Sequence, residues 1–149
     1  MVPRAIQALQ SASLIACEDT RHSKKLLNHF SIDKPCLAYH DHADTQMIEG
    51  LLMRLEDGEN IALISDAGTP LISDPGYRLV AQARSRGITV TPIPGACAAI
   101  AALSVSGLPT DSFLFAGFLP SNRDSEKQRL MNTRLRVRRW CFTKPLIVF

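Results

Sequence analysis

Apolar positions along the chain switch between two periods, and the switching outlines its elements. Residues 2–10 carry Ile6 and Leu9 on one short helical face. Leu14-Ile15-Ala16-Cys17 is a continuous apolar run of strand length that ends in the polar Glu18-Asp19-Thr20. A helix is expected from near Arg21 through Lys24-Lys25-Leu26-Leu27-Asn28-His29-Phe30, with Asp19-Thr20 as its N-cap and Asp33-Lys34-Pro35 as its break. Cys36-Leu37-Ala38-Tyr39-His40 predicts a second strand. Met47, Ile48, Leu51, Leu52 and Leu55 then recur at helical spacing until Gly58.

Ile61-Ala62-Leu63-Ile64 predicts a third strand, residues 77–86 a helix stopped by Gly87, and residues 88–93 a fourth strand rich in β-branched side chains. A small-residue helix over 96–106 and a strand over 113–118 follow. Strands alternating with helices predict an α/β fold built on a parallel sheet covered on both faces.

The third strand runs into Ser65-Asp66-Ala67-Gly68-Thr69-Pro70-Leu71-Ile72-Ser73-Asp74-Pro75-Gly76, two acidic turns stiffened by Gly and Pro. Ligands of open α/β sheets sit outside the carboxyl ends of the strands, so a small molecule is expected near Asp66, Ala67, Gly68, Thr69 and Pro70. Gly68 allows close backbone approach there. Pro94-Gly95-Ala96 sets free N–H groups at an expected helix start, which suits an anion or an adenine edge.

Composition narrows the class. At 149 residues and 46% hydrophobic content, the chain suffices for one compact domain with a core and no large second one. No run nears the roughly 18 apolar residues of a membrane span, and the start is not a secretory signal, so a soluble, cytoplasmic protein without membrane partners is expected. Cys17, Cys36, Cys97 and Cys141 lack any C-x-x-C pairing and read as reduced thiols. Residues 1–120 hold nine Lys/Arg against twelve Asp/Glu, or −3, whereas residues 121–149 hold eight against two, or +6. The basic tail, with Arg134, Arg136, Arg138 and Arg139 at its centre, predicts a polyanionic partner such as nucleic acid.

Several segments carry a resemblance. They are Ala16-Cys17-Glu18-Asp19-Thr20-Arg21-His22, Lys25-Leu26-Leu27-Asn28-His29-Phe30, the whole of 65–80, Pro92-Ile93-Pro94-Gly95, Ser106-Gly107-Leu108-Pro109-Thr110-Asp111 and Phe115-Ala116-Gly117-Phe118-Leu119-Pro120. Over residues 1–120 the chain resembles the small-subunit ribosomal RNA ribose 2′-O-methyltransferases of the tetrapyrrole methylase superfamily. The resemblance implies methyl transfer from S-adenosylmethionine to the 2′-hydroxyl of a cytidine in small-subunit (16S) ribosomal RNA, free or in the 30S particle, by an enzyme that is a homodimer at full length. It implies cofactor contacts at Asp66, Ala67, Gly68, Thr69, Pro70, Ile72, Pro94, Gly95 and Ala96.

The family's first strand and its Gly/Pro-rich loop are expected ahead of the position of Met1, and nearly all of its second domain beyond Phe149. The chain therefore reads as a fragment, inactive by itself, with an N-terminal α/β cofactor-binding domain over 1–117. Residues 118–149 form a basic linker and the start of a second α/β domain, and no family match is expected over 121–145. The closing apolar run Leu146-Ile147-Val148-Phe149 reads as a severed strand.

Methyl transfer to a hydroxyl is an in-line displacement helped by a proton acceptor. Glu18, Asp19, His40 and His42 all stand at or just past expected strand ends, and Glu18, Asp19 and Arg21 form the expected substrate-facing group, with the base left open. Two other readings stay open. Cys36, His40, Asp41 and His42 raise a metal hydrolase, although no third ligand has recognisable spacing and no metal is expected. The basic tail raises a non-catalytic RNA-binding fragment.

Overall fold

The computed structural model describes residues 1–40, 43–134 and 141–143. The chain forms two compact units, Met1–Gly95 and Ala96–Phe149, and the expected boundary at 117/118 falls inside a strand of the second.

The first unit opens with α1 (Pro3–Ser11), whose first position is the proline, a residue whose missing N–H costs nothing there. Next come β1 (Leu14–Cys17), α2 (Thr20–His29), β2 (Cys36–Ala38), α3 (Thr45–Glu56), β3 (Ile61–Ile64) and α4 (Tyr77–Ser85). The three strands form a parallel sheet in the order β2-β1-β3. Register places Leu14 against Ile61 and Cys17 against Ile64 on one side of β1, and Ile15 against Cys36 and Cys17 against Ala38 on the other. All three strands therefore finish at the same level.

β1 is buried along its whole length, and its side chains go alternately to two cores. Leu14 and Ala16 join Ile48, Leu51 and Leu52 of α3 and Leu79 and Ala83 of α4. Ile15 joins Leu9 of α1, Leu27 of α2 and Ile32. The expected two-sided burial is what the structure shows, and each fully buried Leu or Ile stabilises it by about 1.5–3 kcal/mol. α2 lies on one face and α3 on the other, so the chain leaves β1 to one side and returns on the opposite side at β3.

Residues 88–93 do not form the expected fourth strand. Ile88 donates its N–H back to Ala83 O at 3.0 Å, and the following residues through Ile93 are exposed. A strand exists only when a neighbour takes its backbone groups, and among the described residues none pairs with this segment. Likewise, among the described residues no strand pairs with the edge of β3 away from β1, and β3 is only half-buried.

In the second unit, α5 (Ala98–Val105) precedes β4 (Phe115–Phe118), α6 (Arg123–Arg134) and β5 (Cys141–Thr143). β4 and β5 pair in parallel as a second, two-stranded sheet, with an irregularity near Gly117, whose φ is +76°. A helix thus occupies part of the stretch read from sequence as a linker. Leu146–Phe149 lie outside the described residues. No described helix is long and apolar enough to cross a membrane.

Candidate active site at the strand ends

Equal strand ends decide what meets what. The first residues past β1 are Glu18 and Asp19, past β2 Tyr39 and His40, and past β3 Ser65 and Asp66. The Tyr39 N–H extends the ladder by one bond, to Cys17 O at 2.8 Å, and its buried side chain leaves His40 facing outward. Glu18, Asp19, Thr20, Arg21, Ala38, His40 and Asp66 line one cleft of about 410 Å³. That volume lies within the range of small-molecule sites, and the cleft stands at the reversal of strand order, where open α/β sheets bind ligands.

Within the cleft the acidic groups are not equivalent. Asp19 caps α2, and its Oδ1 accepts the backbone N–H of Arg21 at 2.8 Å and of His22 at 3.4 Å. The Arg21 N–H bond above all, with the His22 N–H and the Arg21 guanidinium 3.6 Å away, holds the Asp19 carboxyl below the usual carboxylate range. Asp19 is therefore the anion that starts the helix. Glu18 is half-buried, whereas His40 and Asp66 are exposed to the cleft. Beneath them burial pushes the Cys17 thiol up, and its Sγ lies 3.8 Å from Leu37 O.

The loop after β3 is unusual backbone. Gly68 (φ +79°), Leu71 (+73°), Ser73 (+61°) and Gly76 (+131°) all take positive φ within nine residues. Two of these are side-chain-bearing L residues, each costing about 1–3 kcal/mol, and such strain gathers at functional sites. The loop is held by Ser65 Oγ donating to Ala67 O at 3.2 Å and by the Ile72 N–H donating to Thr69 O at 3.2 Å. Ala67, Gly68 and Thr69 are exposed.

Of the residues singled out in the sequence, Glu18, Asp19, Arg21, His40 and Asp66 come together. Ala67, Gly68, Thr69, Pro70 and Ile72 occupy the adjoining loop without lining the cleft. Pro94 and Gly95 are exposed residues at the end of the first unit, and Ala96 opens the second. Asp41 and His42 of the metal reading lie outside the described residues. So do Arg136, Arg138 and Arg139, while Arg134 closes α6. Thr20 and Ala38 also line the cleft. Thr20 follows an N-cap and Ala38 closes an apolar run, so only strand register could have found them.

The chain is similar over most of its length to proteins of known name. The ribosomal RNA small subunit methyltransferase I of Pseudomonas aeruginosa is 53% identical over 128 residues, which are 86% of this chain and 45% of that protein. The proteins of the same name from Escherichia coli O157:H7 and Vibrio cholerae are 54% identical over 127 residues and 53% over 138, covering 85% and 93% of this chain and 44% and 48% of theirs. The chain spans about half the length of the curated relatives it matches. Residues 1–141 match the family described as Tetrapyrrole (Corrin/Porphyrin) Methylases, past the limit of 120 expected from the motifs. A doubly covered parallel sheet, a ligand-sized cleft at its strand ends and a match along almost the entire length make this chain a member of the tetrapyrrole methylase family.

Proposed function

We propose that the strand-end cleft is the substrate side of an S-adenosylmethionine-dependent methyltransferase that acts on the ribose 2′-hydroxyl of a cytidine in small-subunit ribosomal RNA. One observation carries this reading: Glu18, His40 and Asp66, from three different strand ends, line a single cleft. The names of the relatives supply the substrate class. A cytoplasmic setting, the 30S particle as substrate and a homodimer are part of the same proposal.

The residues present fit the cofactor. A sulfonium is a cation, and the cleft offers three carboxylates, Glu18, Asp19 and Asp66, within an acidic-leaning unit. Asp66 stands where ribose or amino donors find an acceptor, and the open backbone of Ala67 to Thr69 gives N–H and C=O groups for a carboxylate and a base edge. When bound, S-adenosylmethionine supplies an already activated methyl group.

The chain's own residues then position and deprotonate. Arg21, with a 91% exposed side chain at the cleft rim, attracts the phosphates beside the target nucleotide. Asp19 already accepts the Arg21 and His22 N–H groups at the helix N-terminus, which hold its carboxyl below the usual range. Glu18 and His40 are the remaining acceptors for the hydroxyl proton, and Thr20 Oγ hydrogen-bonds the ribose. Positioning supplies much of the rate in such a displacement.

Calorimetric titration separates this reading from a metal hydrolase. Saturable one-to-one heat with S-adenosylmethionine and none with zinc supports methyl transfer; zinc heat without cofactor heat contradicts it.

A further inference from the structure

A second cleft opens on the other side of Thr20. It measures about 470 Å³ and is lined by Thr20, Lys24, Asp33, Lys34, Pro35 and Cys36. The strand-end cleft shares Thr20 with it, so the two are neighbours across one residue at the start of α2. Thr20 and Lys24 are four positions apart on that helix and therefore stand on the same face. Lys34 approaches from the loop before β2, where Cys36 Sγ donates to its carbonyl at 3.4 Å.

Charge distinguishes this corner from the rest of the unit. Residues 20–34 carry Arg21, Lys24, Lys25 and Lys34 against Asp33 alone, or +3, whereas residues 1–95 carry nine cations and eleven carboxylates, or −2, leaving −5 for the remainder. Elsewhere in the unit, three of the five cations are occupied by the fold. Arg54 pairs with Glu59 at 2.7 Å, Arg86 with Glu49 and Glu56, and Arg78 donates to Ala43 O at 2.9 Å. Among the described residues neither Lys24 nor Lys34 makes an ion pair. Two unpaired ammonium groups over a polar cleft, with the positive end of α2 beside them, suit an external polyanion.

We infer that this cleft seats the backbone of the RNA strand as it leaves the target nucleotide, with Lys24 and Lys34 each neutralising one phosphate. The inference rests on the RNA reading of the neighbouring cleft and adds the path that the strand takes. It places sequence-independent RNA affinity on α2 and the loop before β2, in addition to the basic residues beyond position 120. A single strand fits better than a duplex, because a ribose must enter the first cleft while its neighbours lie in the second.

The test is fluorescence anisotropy of a labelled single-stranded RNA oligonucleotide with the whole chain, between 50 and 200 mM salt. The double variant Lys24→Gln/Lys34→Gln is compared with Arg4→Gln/Arg84→Gln, which removes the same charge from exposed positions outside both clefts. Each phosphate contact on a single strand contributes a salt slope of about 0.7, so two lost contacts mean that wild type loses about sevenfold more affinity than the lysine variant over this fourfold salt range. The arginine control should keep the wild-type slope, and all three proteins should bind S-adenosylmethionine alike. Equal slopes for the lysine and arginine variants, with circular dichroism showing both folded, would overturn the cleft assignment alone. No RNA binding by the wild-type chain at 50 mM salt would contradict the RNA reading and the inference with it.

Discussion

Gly76 and Gly68 bracket the strained loop, and comparing them measures how tightly the fold fixes it. Both have positive φ, +131° and +79°. A Cβ on Gly68 would meet only Asp74 Oδ2, at 3.8 Å, an ordinary contact. A Cβ on Gly76 would stand 2.7 Å from Leu63 Cδ2 and 3.0 Å from Leu71 Cδ1, joining the end of the loop to β3. Gly68→Ala therefore costs backbone strain alone, about 1–3 kcal/mol. Gly76→Ala adds overpacking of about another 1–3 kcal/mol. At about 2–4 °C per kcal/mol for a chain of this size, Gly76→Ala should melt about 2–12 °C below Gly68→Ala when followed by far-ultraviolet circular dichroism. Cofactor affinity should respond in the reverse order among folded samples, because Gly68 is exposed where backbone approach is needed. If Gly76→Ala melts at or above Gly68→Ala, the loop is not anchored through Leu63 and Leu71, and the reasoning fails.

Three further outcomes follow from the same structure. The folded-state pKa of Asp19 is depressed, so its contribution is present above the unfolded carboxylate value of about 3.9 and is lost as pH falls through the lower folded value. Asp19→Asn keeps a capping oxygen but loses the charge, so it should melt below wild type at pH 7 with the gap closing below about pH 4; a gap constant with pH would refute the contribution of the Asp19 charge. Cys17 has a raised folded pKa, so it favours the folded state below the unfolded thiol value of about 8.5, and that contribution is lost as pH rises from there toward the folded value. In native protein a thiol reagent at pH 8 should label exposed Cys97 and spare Cys17, and equal rates at both would show that β1 is not the buried centre of the sheet. The outer edge of β3, without a partner strand among the described residues, should cause concentration-dependent self-association in sedimentation velocity, and a single monomeric boundary at all concentrations would argue that the edge is covered.

Much of the first unit could be read from the sequence because local pattern and tertiary role coincide there. The runs Leu14 to Cys17 and Ile61 to Ile64 are strands with the expected limits, and the Met47–Leu55 periodicity became α3. Residues 88–93 show the limit of that logic, since β-branched side chains favour a strand but cannot supply its partner. α6 was illegible for the opposite reason: from Arg123 to Arg134 only Leu130 and Met131 are apolar, too few to mark a face. At the site, Glu18, Asp19 and Asp66 were visible as polar residues following apolar runs. The meeting of Glu18 with His40 and Asp66 depends on the order β2-β1-β3, which no local pattern encodes. Asp19 was legible both as an N-cap and as a possible base, and its bonds from the Arg21 and His22 backbone N–H groups bear out the cap.

The central claim, that the strand-end cleft serves ribose methylation, is tested most directly in a chimaera. This chain's 128 matched residues replace the corresponding segment of the Pseudomonas aeruginosa relative, and small-subunit RNA is incubated with the product and isotopically labelled S-adenosylmethionine. Nucleoside mass spectrometry then reads where the label goes. The account predicts label in 2′-O-methylcytidine, a rate reduced at least a hundredfold by Glu18→Gln or by His40→Ala, whichever is the proton acceptor, and a much smaller loss with Asp19→Asn. Label on a base, or a full rate when both Glu18 and His40 are replaced in folded protein, would contradict it.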